Sequence, residues 1–402
     1  MTISDAPGPG PLEGLRVIDL STMIAGSILS AWLGDFGAEV VKVEHPEGGD
    51  PLRKLGSDES GGGWWDVMNR NKRGITLKLS DPEGAGLLRR LVAGADVVVE
   101  NFRPGTLERW DLGYEQLSAA NPALVLTRVS GFGQTGPNRL LPAYGTLLEG
   151  YSGFALTLGE EGDPPVLPPY GLGDHVAASF GAFGTVMAVM EARRSGQGQV
   201  VDVSLYEPLL ALLGPLPELT RLAGAAPART GNRTSNAAPR NSYATKDGWI
   251  VLSAATDRLF ANLMEAIGRP ELATDPRFAT NQARLANVAE LDAAIEAWTR
   301  DRTRAEVVEL LGAAGAPVGA VNDLADVLAD AHVAARRSLR TATTATGGEV
   351  LVQAPVPRLS RTPGEHRRPA PVLSGSTDEV LSGELGLDAD EIARLRAAGV
   401  VR

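Results

Sequence analysis

The chain has 402 residues, of which 43% are hydrophobic and 22% are charged, a composition typical of a globular protein long enough for two domains. It contains no cysteine, which excludes disulfides, thiolate metal ligands and a cysteine nucleophile, and which fits a cytoplasmic location. The net charge of −11 argues against a nucleic-acid partner, and the four scattered histidines offer no metal-ligand spacing, so we expect no metal site.

The N-terminal residues 1–11 lack the basic start and apolar centre of a signal peptide, and we predict a frayed tail there. No uninterrupted apolar run is long enough to cross a bilayer, so no membrane partner is expected.

From residue 15 onward, predicted strands alternate with helices. Apolar runs predict strands at 15–20, 38–45, 73–79, 96–102, 123–133 and 198–207. Helical spacing appears at 28–37 and 81–95, and a long uncharged helix, predicted to be buried, starts near Asp174. The alternation predicts an α/β fold with a mostly parallel sheet and helices on both faces.

The composition of the sequence changes near residue 214, where Pro, Gly, Asn and Arg become frequent, which predicts a linker. A strand at 247–254 and helices at 258–268 and 291–315 follow, then a possible strand near 347–360 and two helical pieces. We divide the chain into a large domain, a linker, a small domain and a returning C-terminal segment, at 1–213, 214–241, 225–335 and 336–402.

The first strand–helix–strand unit suggests a dinucleotide site, because Glu44 ends the second strand where an acid would hold a ribose. The loop between strand and helix is not G-x-G-x-x-G, since only Gly26 lies in the turn. A nicotinamide or flavin site is therefore a weak alternative.

Basic side chains are concentrated at or just beyond the predicted strand ends, where ligands of open α/β sheets bind. Several could converge on one phosphate-bearing ligand, or they could form a solvated surface, which is favoured for Arg70, Lys72 and Arg73. The series is Lys42, His45, Arg53, Arg70, Lys72, Arg73, Lys78, Arg103 and Arg109.

Asp174 lies in "GLGDH", at the start of the long uncharged helix. Aspartate is a preferred N-cap residue, so this carboxylate could simply cap the helix. Alternatively it is a reacting group, because Gly171 and Gly173 leave the neighbouring backbone bare for a close approach. His175 is interpreted as a packing or capping residue.

The chain resembles the class III CoA-transferase family, which also contains the α-methylacyl-CoA racemases. Ordered motifs carry the resemblance along nearly the whole sequence. Among them are "GLRVIDLS", "LGDFGAEVVKVEHPEGGDPLR", "RNKRGITLKL", "ADVVVENFRPGTLERWDLGYEQL", "SGFGQTGP", "PAYGTLLEGYSG", "GLGDH", "GQGQVVDVSL", "DGWIVLSA" and "STDEVLSGELGLDADEIARL".

The resemblance implies that Asp174 attacks an acyl-CoA thioester and carries aspartyl anhydride and aspartyl-CoA intermediates. The racemases pair this aspartate with a histidine and a following acid, and here those positions hold Tyr144 and Gly145. Because tyrosine is a poor proton acceptor at neutral pH, the resemblance favours a transferase. A racemase using His175 and a catalytically silent CoA-binding protein remain as alternatives.

The resemblance also implies a CoA site, with CoA entering as part of the substrate and no permanently bound cofactor. It implies Met23, Ile24 and Ala25 along pantetheine, His45 near adenine, and Asn101, Phe102 and Arg109 near adenosine and phosphates. We expect Gly26, Lys42 and Lys78 to bind CoA as well. Backbone donors near Ala25, Gly26 or Gly171–Gly173 would meet oxyanions.

Two further expectations follow from the resemblance. The family lysine before "PEG" falls at Ser80, so Lys78 is expected to replace it. The family also implies an interlocked, ring-shaped homodimer with a Rossmann-like large domain and a smaller α+β domain. We further hypothesise that Arg229, Arg233 and Arg240 meet the carboxylate of the acceptor acid.

Overall fold

The structure, a computed structural model, describes residues 9–56 and 63–402. Most of the tail predicted at 1–11 lies outside the described residues. In chain order the strands are β1 (Arg16–Asp19), β2 (Glu39–Glu44), β3 (Lys72–Thr76), β4 (Val97–Glu100), β5 (Val125–Ser130), β6 (Val200–Ser204), β7 (Arg240–Thr245), β8 (Gly248–Ser253), β9 (Val318–Ala320), β10 (Leu339–Thr343) and β11 (Glu349–Gln353).

The α-helices cover both the N-terminal and the C-terminal parts of the chain. They are α1 (Ala25–Asp35), α2 (Gly63–Met68), α3 (Pro82–Val92), α4 (Thr106–Arg109), α5 (Tyr114–Ala120), α6 (Gly145–Tyr151), α7 (Leu172–Ser195), α8 (Glu207–Leu212), α9 (Leu216–Ala223), α10 (Asp257–Ala266), α11 (Asn281–Ala286), α12 (Val288–Thr299), α13 (Arg304–Ala313), α14 (Leu324–Ala329), α15 (Ala331–Ala335), α16 (Thr377–Gly383) and α17 (Ala389–Ala397).

The predicted parallel sheet is confirmed as a six-stranded sheet in the order β3-β2-β1-β4-β5-β6 within the described part of the chain. All its strand pairs are parallel. Helices cover both faces of the sheet. On one face Ile18 of β1 packs with helices α3 and α17, and on the other the adjacent Val17 packs with α1 and α7. Continuous apolar strands such as "VVV" in β4 are what a sheet buried on both faces requires.

The order reverses between β1 and β4, so the crevice beyond their carboxyl ends is the expected ligand site. The Asn101 side chain joins the two loops at this point. It accepts a hydrogen bond from Thr22 N–H at 2.8 Å and donates one to the Thr22 carbonyl at 2.7 Å. The loop after β1 is thus fixed against the loop after β4.

Helix α1 starts earlier than the predicted 28–37, because "AGS" belongs to the helix and not to the preceding turn. A Cβ on Gly26 would lie only 2.3 Å from the Ser21 Cβ, so a glycine lets the first turn pack on the strand end. The close approach at Gly26 is therefore internal to the protein.

Helix α7 packs on α1, α6, β5 and β6, but the expectation that it is buried on all sides is wrong for the single chain. Four apolar side chains on it are between 43% and 67% exposed: Phe180, Phe183, Met187 and Met190. Among the described residues it is the one helix long and apolar enough to cross a membrane by length and composition, criteria that a core helix also meets.

The chain divides into two compact units, the first comprising 1–154, 167–214 and 335–402 and the second comprising 155–166 and 215–334. The second unit contains the antiparallel sheet β7-β8-β9 and a core of its own, built around Phe260, Leu291 and Leu311. Segment 155–166, predicted within the large domain, belongs to this unit because Arg229 binds the carbonyls of Leu158 and Pro164.

The predicted linker at 214–241 is not free of regular structure. Helix α9 occupies Leu216–Ala223, and β7 begins at Arg240, inside the predicted segment. Strand β7 escaped prediction because "RNSYAT" has little apolar alternation; its pairing with β8 is supplied by the tertiary fold.

Candidate active site

Asp174 is the third residue of α7 and not its N-cap. Gly171 occupies the N-cap position, and the helix start has no side-chain cap from that residue. The interpretation of Asp174 as a simple helix cap is therefore wrong, although the carboxylate still lies in the first turn, where the positive end of the helix dipole favours an anion.

The Asp174 carboxylate lies against two stretches of bare backbone. A Cβ on Gly145, the first residue of α6, would be 2.5 Å from Asp174 Oδ2, and a Cβ on Gly171 would be 3.3 Å from the same oxygen. The second position is also 3.4 Å from Ile24 Cδ1. The glycines thus make room for this carboxylate, and the structure brings Ile24, Gly145 and Asp174 together.

Burial gives this carboxyl group unusual acid–base properties. Desolvation raises the pKa of Asp174 to about 6, with the neighbouring His175 acting to lower it and Glu149 acting to raise it. His175 itself is occupied, because its Nδ1 lies 2.7 Å from the Gly171 carbonyl and donates to it. A half-buried carboxylate that is ionised near neutrality suits nucleophilic catalysis.

Tyr144 precedes Gly145 and is the N-cap of α6, with 71% of its surface exposed. A side chain at position 145 would displace the Asp174 carboxylate from the position it takes here. Tyr144 and Gly145 therefore provide neither the histidine nor the acid of the racemase pair at these two positions.

The loop after β1 presents Met23 and Ile24 before α1 begins at Ala25. Met23 has a left-handed backbone with φ of 61°, unusual for a non-glycine residue, and its N–H donates to Asp50 Oδ1 at 3.0 Å. Asp50 in turn pairs with the buried Lys42 at 3.1 Å. Asp50 and Lys42 therefore hold the loop after β1 in an uncommon backbone conformation.

A groove of about 110 Å³ lies at the carboxyl ends of β1 and β2 and is lined by His45, Ser80, Phe102 and Trp110. Phe102 and Trp110 meet edge to face, with ring centroids 5.3 Å apart. Sequence reasoning missed Trp110, although an aromatic residue in a family motif is a signal that could have identified it. The predicted residues His45 and Phe102 do come together here.

The basic series divides into paired and unpaired members. Arg53, Arg70, Lys72 and Arg73 pair with carboxylates of the protein, and Arg70 and Lys72 are buried, so the predicted solvated surface is wrong for these two. Lys42 is also fully buried, between Asp19 and Asp50. In residues 9–56 and 63–402, His45, Lys78, Arg103 and Arg109 form no ion pair.

The prediction that Lys42 binds CoA is therefore corrected: its ammonium group supports the loop after β1. Replacing Lys42 with methionine removes the cation that pairs with the buried Asp50 and leaves Asp19 paired with Lys72, and we expect a loss of about 3–5 kcal/mol in the free energy of unfolding. Urea denaturation measures this loss.

Lys78→Met is the matched control for Lys42→Met. It removes a partly exposed lysine that forms no ion pair within the described residues, so we expect a change in stability within about 0.5 kcal/mol. A Lys42→Met variant as stable as the unaltered protein would contradict the correction.

Glu44, the acid on which the alternative of a nicotinamide or flavin site depends, is already bound within the protein. Glu44 is 4% exposed, and its two oxygens accept bonds from Arg53 and from the Asp50 N–H. It is thus unavailable to a ribose. Within the described ranges, no group of three or more His, Cys, Asp or Glu side chains is arranged to hold a metal ion.

The three arginines proposed for the acceptor acid have different partners. Arg229 binds backbone carbonyls, and Arg233 pairs with Asp292 at 2.7 Å. Arg240 donates to the Asn232 carbonyl and forms no ion pair within the part of the chain that the structure describes. It lines a cavity of about 870 Å³ in the second unit, together with Asn232 and Ser242.

The model of CoA-transferase family III matches residues 12–377, and the chain belongs to this family. It is 44% identical over 396 residues to succinyl-CoA–D-citramalate CoA-transferase of Chloroflexus aurantiacus, covering 98% of both chains. It is 35% identical over 382 residues to succinate–glutarate CoA-transferase of Agrobacterium fabrum, covering 92% of this chain and 95% of that one.

Among solved structures, a CaiB/BaiF family protein from Brucella suis superposes with a TM-score of 0.84 at 33% identity, covering 94% of this chain and 100% of that one. The predicted family and enzyme class are confirmed. The protein is a class III CoA-transferase, whose substrates are CoA thioesters and carboxylic acids.

Proposed function

We propose that this enzyme moves CoA from succinyl-CoA to a second dicarboxylic acid, with Asp174 as the nucleophile. The observation that carries the proposal is the half-buried Asp174 carboxylate between the bare backbones of Gly145 and Gly171. The relatives support the substrate class, since those named above act on succinyl-CoA with citramalate or on succinate with glutarate.

The reaction proceeds by transfer of the acyl group and then of CoA. A carboxylate oxygen of Asp174 attacks the thioester carbonyl, the C–S bond breaks, and a mixed anhydride and CoA thiolate form. The thiolate attacks the aspartyl carbonyl, which releases succinate and leaves an aspartyl-CoA thioester. The acceptor carboxylate then attacks this thioester, which gives a second mixed anhydride and CoA thiolate. The thiolate attacks the acceptor's acyl carbon in this anhydride, which forms the new acyl-CoA and frees the Asp174 carboxylate.

CoA is held by residues at the carboxyl edge of the sheet. Met23, Ile24 and Ala25 contact pantetheine, and Gly26 lets the first turn of α1 pack against the end of β1. His45 and Phe102 of the groove hold the adenosine, with Asn101 fixing the loop. The unpaired Lys78 and Arg109 bind the phosphates, and Lys78 supplies the charge that Ser80 lacks.

Arg240 recognises the acceptor acid. It keeps unused guanidinium donors, whereas the guanidinium groups of Arg229 and Arg233 bind other groups of the protein. A guanidinium group can bind a carboxylate through two parallel N–H···O bonds. We expect Arg240→Gln to raise the KM for the acceptor about tenfold or more and to leave the KM for succinyl-CoA unchanged. Steady-state kinetics with both substrates varied measure this.

Arg269→Gln is the control, because Arg269 is an exposed arginine of the same unit that pairs with Glu271 at the surface. Equal acceptor KM values in the Arg240 variant, the control and the unaltered enzyme would show that Arg240 has no such role.

A cytoplasmic homodimer is part of the proposal. The exposed apolar side chains of α7 support it, because a contiguous apolar stripe on a helix is typical of a covered surface. Light scattering at several concentrations tests it, with a dimeric mass expected and a monomeric mass contradicting it.

The experiment that tests the function is an incubation with succinyl-CoA and single dicarboxylic acids, followed by mass spectrometry of the CoA esters. A new acyl-CoA of the added acid, together with free succinate, is the expected result. Deuterium exchange into a 2-methylacyl-CoA without CoA movement would instead support a racemase. Binding of CoA with neither reaction would identify a silent family member.

A further inference from the structure

Glu149 is a fully buried carboxyl group beside the proposed nucleophile. It lies on α6, one helical turn after Gly145, with 0% of its surface exposed. Its Oε1 accepts a hydrogen bond from the Gly173 N–H at 3.1 Å. Its Oε2 is buried without a hydrogen-bond partner among the residues that the structure describes.

The bond to Gly173 stabilises the start of α7. The first N–H groups of a helix have no partner within the helix, and the N-cap Gly171 has no side chain to offer. Glu149 therefore acts as a cap supplied from a different helix. Gly173 directly precedes Asp174, and a Cβ on Gly173 would lie 3.0 Å from the Gly145 carbonyl oxygen, so the two backbones are in close approach.

An unpaired buried carboxyl oxygen is costly, and most such atoms in proteins find a partner. A fold that needed only a cap for α7 could use a neutral acceptor here. The presence of an acid at this position instead indicates a role for its charge, and that charge acts on Asp174.

We propose that Glu149 is a positioning residue for Asp174: its Oε1 holds the first turn of α7, and its negative charge repels the charge on the reacting carboxylate. This proposal rests on Asp174 being the nucleophile. When Asp174 forms the anhydride, its negative charge leaves on the CoA thiolate and the repulsion is relieved. Glu149 thus favours the step in which the aspartyl oxygen bonds to the acyl carbon.

Other titratable groups around α7 either bind other groups of the protein or lie away from its first turn. Of the elements that pack on it, α1, β5, β6 and α8 carry Asp35, Arg128, Asp202 and Glu207. Those groups bind Arg70, Glu100, the Gln134 N–H and Ser204, respectively. Tyr144 is the N-cap of α6 and Tyr151 its last residue, and Glu191, Arg193 and Arg194 lie at the far end of α7. Glu149 and His175 remain as the neighbours that act electrostatically on Asp174.

Two variants separate the two parts of the role. Glu149→Gln keeps an oxygen acceptor for Gly173 and removes the charge, whereas Glu149→Asp keeps the charge on a shorter arm. For Glu149→Gln we expect the acid limb of the kcat/KM profile to move to lower pH by about one unit, with a several-fold lower plateau. For Glu149→Asp we expect the acid limb to stay near that of the unaltered enzyme while kcat falls about tenfold or more.

The control is Glu191→Gln, which removes a surface carboxylate paired with Arg194 on the same helix and should leave the profile unchanged. An unmoved acid limb in folded Glu149→Gln would overturn the proposal, even if its melting temperature fell, because a purely structural role predicts that result. Failure of the proposed nucleophile is recognised separately, by transfer activity that persists in Asp174→Asn.

Discussion

Replacing Asp174 with asparagine is expected to lower kcat for CoA transfer roughly 10⁴-fold or more, because the amide has no anionic oxygen to attack the thioester. The same reasoning predicts that the unaltered enzyme loses activity as pH falls through about 6, where the Asp174 carboxylate becomes protonated. Initial rates of new acyl-CoA formation across this range measure both effects.

The stability of the Asp174→Asn variant is expected to rise, although its activity falls. The pKa of Asp174 is raised by burial, so the folded state favours the protonated form and loses stability as pH rises through about 6. A neutral amide avoids that loss, and the variant should melt at a higher temperature than the unaltered enzyme above this pH. An inactive variant that melts lower throughout would indicate damage to the fold.

Replacing Gly145 with alanine is expected to reduce kcat by about 10²-fold with little loss of stability. The new methyl group would lie 2.5 Å from Asp174 Oδ2, and the flexible carboxylate can rotate away, which spares the fold and misplaces the nucleophile. Kinetics of acyl-CoA formation and thermal melting of the same preparation separate the two effects.

Gly150→Ala is the matched control for Gly145→Ala. Gly150 lies on the same short helix, and a Cβ there meets nothing within 4 Å. Alanine at that position should leave kcat unchanged and stabilise the helix by up to about 1 kcal/mol. Equal kcat values in the two variants would show that the contact between Gly145 and Asp174 does not matter for catalysis.

The sheet could be predicted from the sequence because its signal is local. Runs such as "VIDL" and "VVVE" are apolar strands, and the helices between them leave few alternatives to a parallel order. The two-sided burial follows from the same runs. By contrast, the inclusion of residues 155–166 in the second unit depends on Arg229, more than sixty positions later in the chain, and no local pattern indicates such a bond.

Charged side chains were the least predictable part of the candidate site. Lys42 and Lys72 look like surface or phosphate-binding residues in a strand pattern, yet both are buried on Asp19. Their partners come from other strands, and pairing across a parallel sheet cannot be read from spacing. The same limit explains why the sequence favours a surface position for Arg70, which in the structure is buried and bound to Asp35.

Asp174 and its surroundings show what each level of information adds. The bare glycines at 171 and 173 were visible in the sequence, and the family resemblance pointed to the nucleophile. The contacts of Gly145 and Glu149 with the start of α7 could not be predicted from the sequence, because they depend on how α6 packs against the first turn of α7. An acid within the otherwise apolar "TLLEGY" was the one available signal for Glu149.

Hydroxylamine trapping tests the central claim most directly. The enzyme is mixed with succinyl-CoA without an acceptor acid, hydroxylamine is added, and the digested protein is searched by mass spectrometry. We predict a hydroxamate on the peptide that contains Asp174, because both the anhydride and the aspartyl-CoA thioester react with this nucleophile. An unmodified Asp174 peptide, or a hydroxamate on a different residue, during active release of CoA and succinate would contradict the account.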